Sequence, residues 1–211
     1  RDGACHRIAF EGGELVSKLK SEKLKERRST GTVVRCWPDQ KYFDGPNIPM
    51  GELEHIVRSK AYLLPGLSMV LRIEGKEEKT WTYERGMAQY FDFMLQGRAL
   101  VAPLFSGEKY FDEKSAAELT DIQPGEGAAW AVGFVSEGEI FADSHVNLIP
   151  TRSHGTHEVG FRNGVFEAIR AFMETRGLTP KGIKLIAEDV WGRACFTLSA
   201  RIVRKIGRAH V

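Results

Sequence analysis

Ser29-Thr30-Gly31-Thr32-Val33-Val34-Arg35-Cys36-Trp37-Pro38-Asp39 is the stretch on which the reading of this chain turns. It divides into three parts. Ser29-Thr30-Gly31 is turn chemistry, because Gly31 can take a positive φ and the two hydroxyls can bond nearby backbone. Thr32 to Trp37 is rich in β-branched and aromatic residues, which predicts a strand with Arg35 on one face. Pro38-Asp39 ends it, since proline has no N–H to give to a sheet ladder. Taken alone, this is a strand leaving a tight turn, as in many α/β proteins.

Upstream, Arg1-Asp2-Gly3 reads as a turn inside a sheet, so the chain is expected to begin in mid-domain. His6 to Phe10 reads as a strand, and Glu11-Gly12-Gly13-Glu14 as a second turn. Residues 15–28 carry Lys18, Lys20, Lys23, Lys25, Arg27 and Arg28; the expectation is a solvated connector rather than a DNA contact. Downstream, Phe43-Asp44-Gly45-Pro46 is a loop. Met50 to Leu63 has helical spacing with Leu53, Ile56, Val57 and Ala61 on one side, stopped by Pro65-Gly66. Ser68–Ile73 and Thr80–Tyr83 form a hairpin around Gly75-Lys76.

A domain boundary is expected near Glu84. Met87 to Leu95 is a short helix burying Tyr90, Phe91 and Leu95, and residues 96–127 show little periodicity. Ala128–Val135 and Ile140–Leu148 are apolar runs joined by Ser136-Glu137-Gly138-Glu139, which predicts a β-hairpin. Thr156 is expected to cap a helix running to about Arg176, closed by Gly177, with Phe161, Val165, Ile169 and Phe172 facing that hairpin. Ala187–Trp191 is a helical turn and Cys195–Val203 a last strand. His145, His154 and His157, with Glu158 nearby, lack a fixed second pair of ligands, so no metal site is assigned to them.

The 211 residues suffice for one ordinary domain or two small ones. With 42% apolar and 27% charged residues the composition is globular, and a net charge of +2 gives no global argument for a nucleic-acid binder. Cys5, Cys36 and Cys195 are odd in number and far apart, which fits a reduced protein rather than a disulfide scaffold or a metal centre. No apolar run approaches a membrane span and no signal peptide is visible, so no membrane partner is expected.

The string Thr30-Gly31-Thr32-Val33-Val34-Arg35-Cys36-Trp37-Pro38-Asp39 resembles a stretch in the ATPase region of the B subunits of bacterial type IIA topoisomerases, DNA gyrase and topoisomerase IV. Lys60-Ala61, Leu64-Pro65-Gly66 and Trp81-Thr82-Tyr83 match the same family. So do Val146-Asn147, Ile149, Thr151 and the run Gly155-Thr156-His157-Glu158 with Gly160-Phe161-Arg162. Leu148-Ile149-Pro150-Thr151 and Glu188-Asp189-Val190-Trp191 fit the topoisomerase IV type better than gyrase. His154 departs from the family, which has a glycine there. The resemblance reaches to about Ile202.

The resemblance implies an α+β protein: the C-terminal part of a GHKL ATPase sandwich over residues 1–84, then an S5 domain 2-like transducer over 85–203. Residues 204–211 read as a non-native tail. It implies that Thr32 bonds the adenine of ATP, directly or through water, that Val34 lies on the strand flooring that pocket, and that Arg1 sits at its rim. The intact protein would use ATP and Mg2+, act on DNA with the A subunit of topoisomerase IV, dimerise through B subunits when ATP is bound, and work in the bacterial cytoplasm at the nucleoid. The glutamate and asparagine helix, the Asp-Gly-x-Gly loop, the phosphate lid and the Gln-Thr-Lys lysine of that chemistry are not found in these 211 residues. Without a metal site and a positioned base the chain alone is expected to be inactive and to hold no catalytic residue. Rival readings are a mismatch-repair or chaperone-type GHKL ATPase and an S5-like nucleic-acid-binding module.

Overall fold

The computed structural model describes residues 3–24, 30–43, 45, 47–179, 182 and 184–203. It forms two compact units that divide after Ile48. The first holds an antiparallel hairpin of β1 (Ala4–Glu11) and β2 (Glu14–Lys23). Its turn is Gly12-Gly13, and both glycines take positive φ, 57° and 89°. The expected connector over 15–28 is therefore largely strand. Its charges do not prevent this, because both faces of the hairpin are open and Arg7 pairs across it with Glu22 at 2.9 Å. Lys25, Arg27 and Arg28 lie outside the described residues, as do Arg1, Asp44, Pro46 and the tail 204–211.

Thr32–Trp37 is a correction. Residues 30–39 form no strand, and Val33, Val34 and Trp37 are 84%, 81% and 82% exposed. β-propensity measures how a side chain fits a pleated, half-buried surface, and among the described residues this segment has no ladder partner to supply one. A 3-10 turn at Gln40–Tyr42 follows, with Asp39 accepting from the Lys41 backbone N–H at 3.1 Å.

The second unit opens with α1 (Met50–Leu63), as its apolar spacing predicts. Gly66, at φ 83°, turns the chain into the hairpin β3 (Met69–Leu71) and β4 (Lys79–Trp81). Next comes α2 (Gly86–Leu95), which buries Tyr90, Phe91 and Leu95. Ala61, Tyr62, Tyr83 and Tyr90 form one core cluster that spans position 84.

The weakly periodic stretch 96–127 contains β5 (Phe105–Tyr110) and α3 (Glu113–Ala117), whose Asp112 cap bonds the Ser115 N–H at 2.7 Å. Then follow β6 (Gly127–Phe134), β7 (Ala142–Val146), β8 (Ile149–Pro150), α4 (Thr156–Thr175), α5 (Ala187–Trp191) and β9 (Ala194–Arg201). Among the described residues these strands make a five-stranded sheet in the order β5-β6-β9-β7-β8. All neighbours are antiparallel except β7 and β9.

The expected β6–β7 hairpin is thus replaced by a crossover in which β9 inserts between the two strands. The reason is burial. Phe196 and Leu198 of β9 join one core, with Val132, Val190 and Trp191, while Cys195 joins another on the opposite face, with Phe91, Ala131 and Val135. A strand apolar on both faces belongs in the middle of a sheet. Phe161, Val165, Phe166 and Ile169 of α4 cover the first face, and Phe91 and Leu95 of α2 cover the second. The architecture is α+β, as expected.

Two expectations about α4 change. Its N-cap is Gly155, with Thr156 the first helical residue and no side-chain capping bond. Phe172 lies on the same stripe as Phe161 but is 57% exposed, because the strand residues lining the groove beside it include the small Ala128 and Ala200. Gly177 closes the helix at φ 62°, its N–H reaching Glu174 O at 3.1 Å.

Candidate functional site

Two sets of residues bear on function, one in each unit. In the first, Thr32 and Val34 lie on the exposed segment and Arg1 is outside the described residues. Asp39, the acid of this stretch, is engaged by the Lys41 ammonium at 3.2 Å. The segment therefore presents the Thr32 side chain on an open surface.

The second set is built by period-two alternation along β7. Ser144 points to the α4 face, where its hydroxyl lies 2.5 Å from Thr151 Oγ1 and 3.3 Å from the buried carboxylate of Glu158. Asp143 and His145 point to the opposite face, toward α1 and α2. There α1 presents Glu52, His55, Ser59 and Tyr62 at helical spacing of three and four. His55 Nε2 lies 3.4 Å from Asp143 Oδ1. The hydroxyls of Tyr90 and Tyr62 donate to Asp143 Oδ2 at 2.9 and 3.3 Å. Glu52 pairs with Arg152, and the Lys60 ammonium donates to the Leu148 carbonyl. Leu148 and Asn147, both at positive φ, form the β7–β8 turn that presents this carbonyl.

The electrostatics follow from burial. Burial pushes the Asp143 carboxyl up, but the bonds from His55 and Tyr90 outweigh it and hold the group below its usual range. The bond to Asp143 raises the His55 pKa against the opposing effect of burial. His145 is fully buried, and burial lowers it to about 4. Burial raises both tyrosines further above their ordinary value.

His145, His154 and His157 do not converge, since β7 sends His145 to the face away from α4. His154 Nδ1 instead meets Glu158 Oε2 at 2.8 Å, and His157 Nε2 lies 3.3 Å from Thr151 Oγ1. The histidines and acid that do converge are His55, Asp143 and His145, whose ligating atoms all lie within 4.8 Å of one another. Sequence reasoning missed this set because His55 is distant in the chain. The one local signal was Asp143-x-His145, a spacing that puts two side chains on one strand face.

Position 154 explains its own oddity. His154 has φ 61°, the left-handed region in which glycine is preferred. The histidine keeps that backbone conformation, and its ring bonds Glu158.

The DNA gyrase B family model matches residues 86–205, more than half of the chain. This chain belongs to the DNA gyrase B family. Among members of that family, the B subunit of DNA topoisomerase 4 from Escherichia coli (strain K12) is 37% identical over 204 residues, covering 96% of this chain and 31% of the relative. The chain therefore spans about a third of that relative's length. A solved ATP-binding domain of topoisomerase IV from Francisella tularensis, in complex with a small-molecule inhibitor, superposes with a TM-score of 0.71 at 30% identity. That match covers 99% of this chain and 54% of the other. The 43K ATPase domain of Thermus thermophilus gyrase B, in complex with an aminocoumarin, shares the fold at TM-score 0.67 and 21% identity, over 99% of this chain and 54% of that one. Within the DNA gyrase B family the chain is similar to the topoisomerase IV branch in both comparisons.

Proposed function

We propose that this chain is part of the ATP-binding B subunit of a bacterial type IIA DNA topoisomerase of the topoisomerase IV kind. The observation that carries the reading is the 37% identity to the B subunit of Escherichia coli DNA topoisomerase 4 across 96% of the chain. On this reading residues 1–84 are the last part of the GHKL ATPase domain and 85–203 the transducer. The start of the family match at residue 86 supports a boundary near Glu84. Thr32 contacts adenine, Val34 lines the pocket floor and Arg1 stands at the rim once the rest of that domain completes the sheet. ATP with Mg2+ is bound by the intact protein, which acts on DNA with an A-subunit partner in the bacterial cytoplasm and dimerises through its B subunits.

The transducer reading assigns a relay role to the ties between α1 and β7. Glu52–Arg152, His55–Asp143 and Lys60–Leu148 join a helix of the ATPase part to the transducer sheet. Displacement of α1 would be felt at β7 through this row of contacts.

The test uses the full-length protein. With its A subunit, it should relax and decatenate DNA only when ATP and magnesium are present, while the 211-residue chain alone shows no turnover. A full-length protein that binds DNA but lacks ATP-dependent strand passage would overturn the reading in favour of a nucleic-acid-binding module.

A further inference from the structure

We propose that His55, Asp143 and His145 form a binding site for a divalent transition-metal ion, with zinc the ion best suited to two imidazoles and one carboxylate. Their ligating atoms already lie within 4.8 Å of one another. Tetrahedral zinc with bonds of roughly 2.0–2.2 Å needs its ligand atoms about 3.3–3.5 Å apart. The pair His55 Nε2 and Asp143 Oδ1 meets this at 3.4 Å. The remaining closure falls to rotation of His55, whose side chain is 39% exposed.

The surroundings divide the work as a metal site requires. Tyr62 and Tyr90 both donate to Asp143 Oδ2, which fixes the carboxylate and leaves Oδ1 turned to His55. His145 is wholly buried; its Nε2 lies 3.5 Å from the Tyr62 hydroxyl, and the Leu198 backbone lies beside the ring. The cations that act on His55 are occupied elsewhere. Arg152 pairs with Glu52, and Arg58 is held by the Tyr83 hydroxyl at 2.7 Å and the Phe93 ring at 3.9 Å. Three protein ligands with one of them at the surface leave a fourth position for water. An ion here would clamp α1 to β7, two elements far apart in sequence.

The experiment is equilibrium dialysis of the 211-residue chain against zinc, with cobalt(II) as a spectroscopic probe. One equivalent of zinc should be retained, cobalt should show the intense visible bands of a tetrahedral site, and zinc should raise Tm. His145→Phe, which keeps ring volume in the buried position, and His55→Asn, at the half-exposed one, should each weaken binding about tenfold or more and abolish the Tm rise. The double variant His154→Asn/His157→Asn should bind like the parent. Three results overturn the proposal: no retention by the folded parent, retention unchanged by both single variants, or loss only in the His154/His157 variant.

Discussion

Tyr62 and Tyr90 stack face to face, their ring centroids 3.9 Å apart and their planes 11° from parallel, and both hydroxyls point at the same oxygen of Asp143. One ring comes from α1, the other from α2, and the acid from β7. Asp143→Ala takes the acceptor from the largely buried Tyr90 hydroxyl and leaves Tyr62 only His145 Nε2, at 3.5 Å, so it should cost about 1–3 kcal/mol. Tyr90→Phe in the parent should cost about 1 kcal/mol and much less in the Asp143→Ala background. Urea melts of the four proteins in the double-mutant cycle measure the coupling.

Stability should depend on pH through His145. In the fold its pKa is about 4, and in the unfolded chain it returns toward 6.5. Between those values the unfolded state binds more protons, so stability falls as pH drops from 6.5 to 4, by at most about 3 kcal/mol. His55 works in the opposite sense. Its raised pKa adds stability below 6.5 that is lost as pH rises through the folded value. Asp143 adds stability above 3.8 that is lost as pH falls through its lowered folded value. His145→Phe should therefore flatten the loss between pH 6.5 and 4, as read from urea midpoints across that range.

Phe161 and Phe172 share a helix stripe but not an environment. The Phe161 ring lies 5.9 Å from Phe196 and 6.1 Å from Trp191, so Phe161→Ala should cost about 2–4 kcal/mol. Phe172 is more than half exposed, and Phe172→Ala should stay within about 1 kcal/mol of the parent. Equal losses of Tm in the two variants would contradict the packing described for α4.

His154 balances backbone strain against its bond to Glu158. His154→Ala keeps a side chain at φ 61° and loses the bond, so it should destabilise by about 1–2 kcal/mol. His154→Gly loses the bond but relieves the strain, and should melt within about 0.5 kcal/mol of the parent. The order of the two melting temperatures is the check.

Thr32→Ala in the full-length protein should weaken ATP binding about 2–10-fold, the loss of one hydrogen bond of about 0.5–1.5 kcal/mol, with the melting temperature unchanged. Calorimetry with a non-hydrolysable ATP analogue measures it. Unaltered affinity would remove Thr32 from the adenine contact.

Local features were legible in the sequence. The apolar spacing of Met50–Leu63, the buried Tyr90, Phe91 and Leu95, the Gly12-Gly13 turn and the Ala187–Trp191 turn depend on a few neighbouring residues, and periodicity reports them directly. The family was legible too, because its motifs are contiguous strings. Pairing partners were not. Nothing local says that β9 will part β6 from β7, since that outcome depends on covering both apolar faces of a strand far beyond β6 in the chain. Thr32–Trp37 has strand composition but no ladder among the described residues, because a strand exists only against a neighbour. Phe161 and Phe172 have the same spacing and differ in burial, because what faces them comes from other elements. The cluster of His55, Tyr62, Tyr90, Asp143 and His145 was decided by tertiary structure alone, for it exists only where a helix stripe meets the alternating face of a strand.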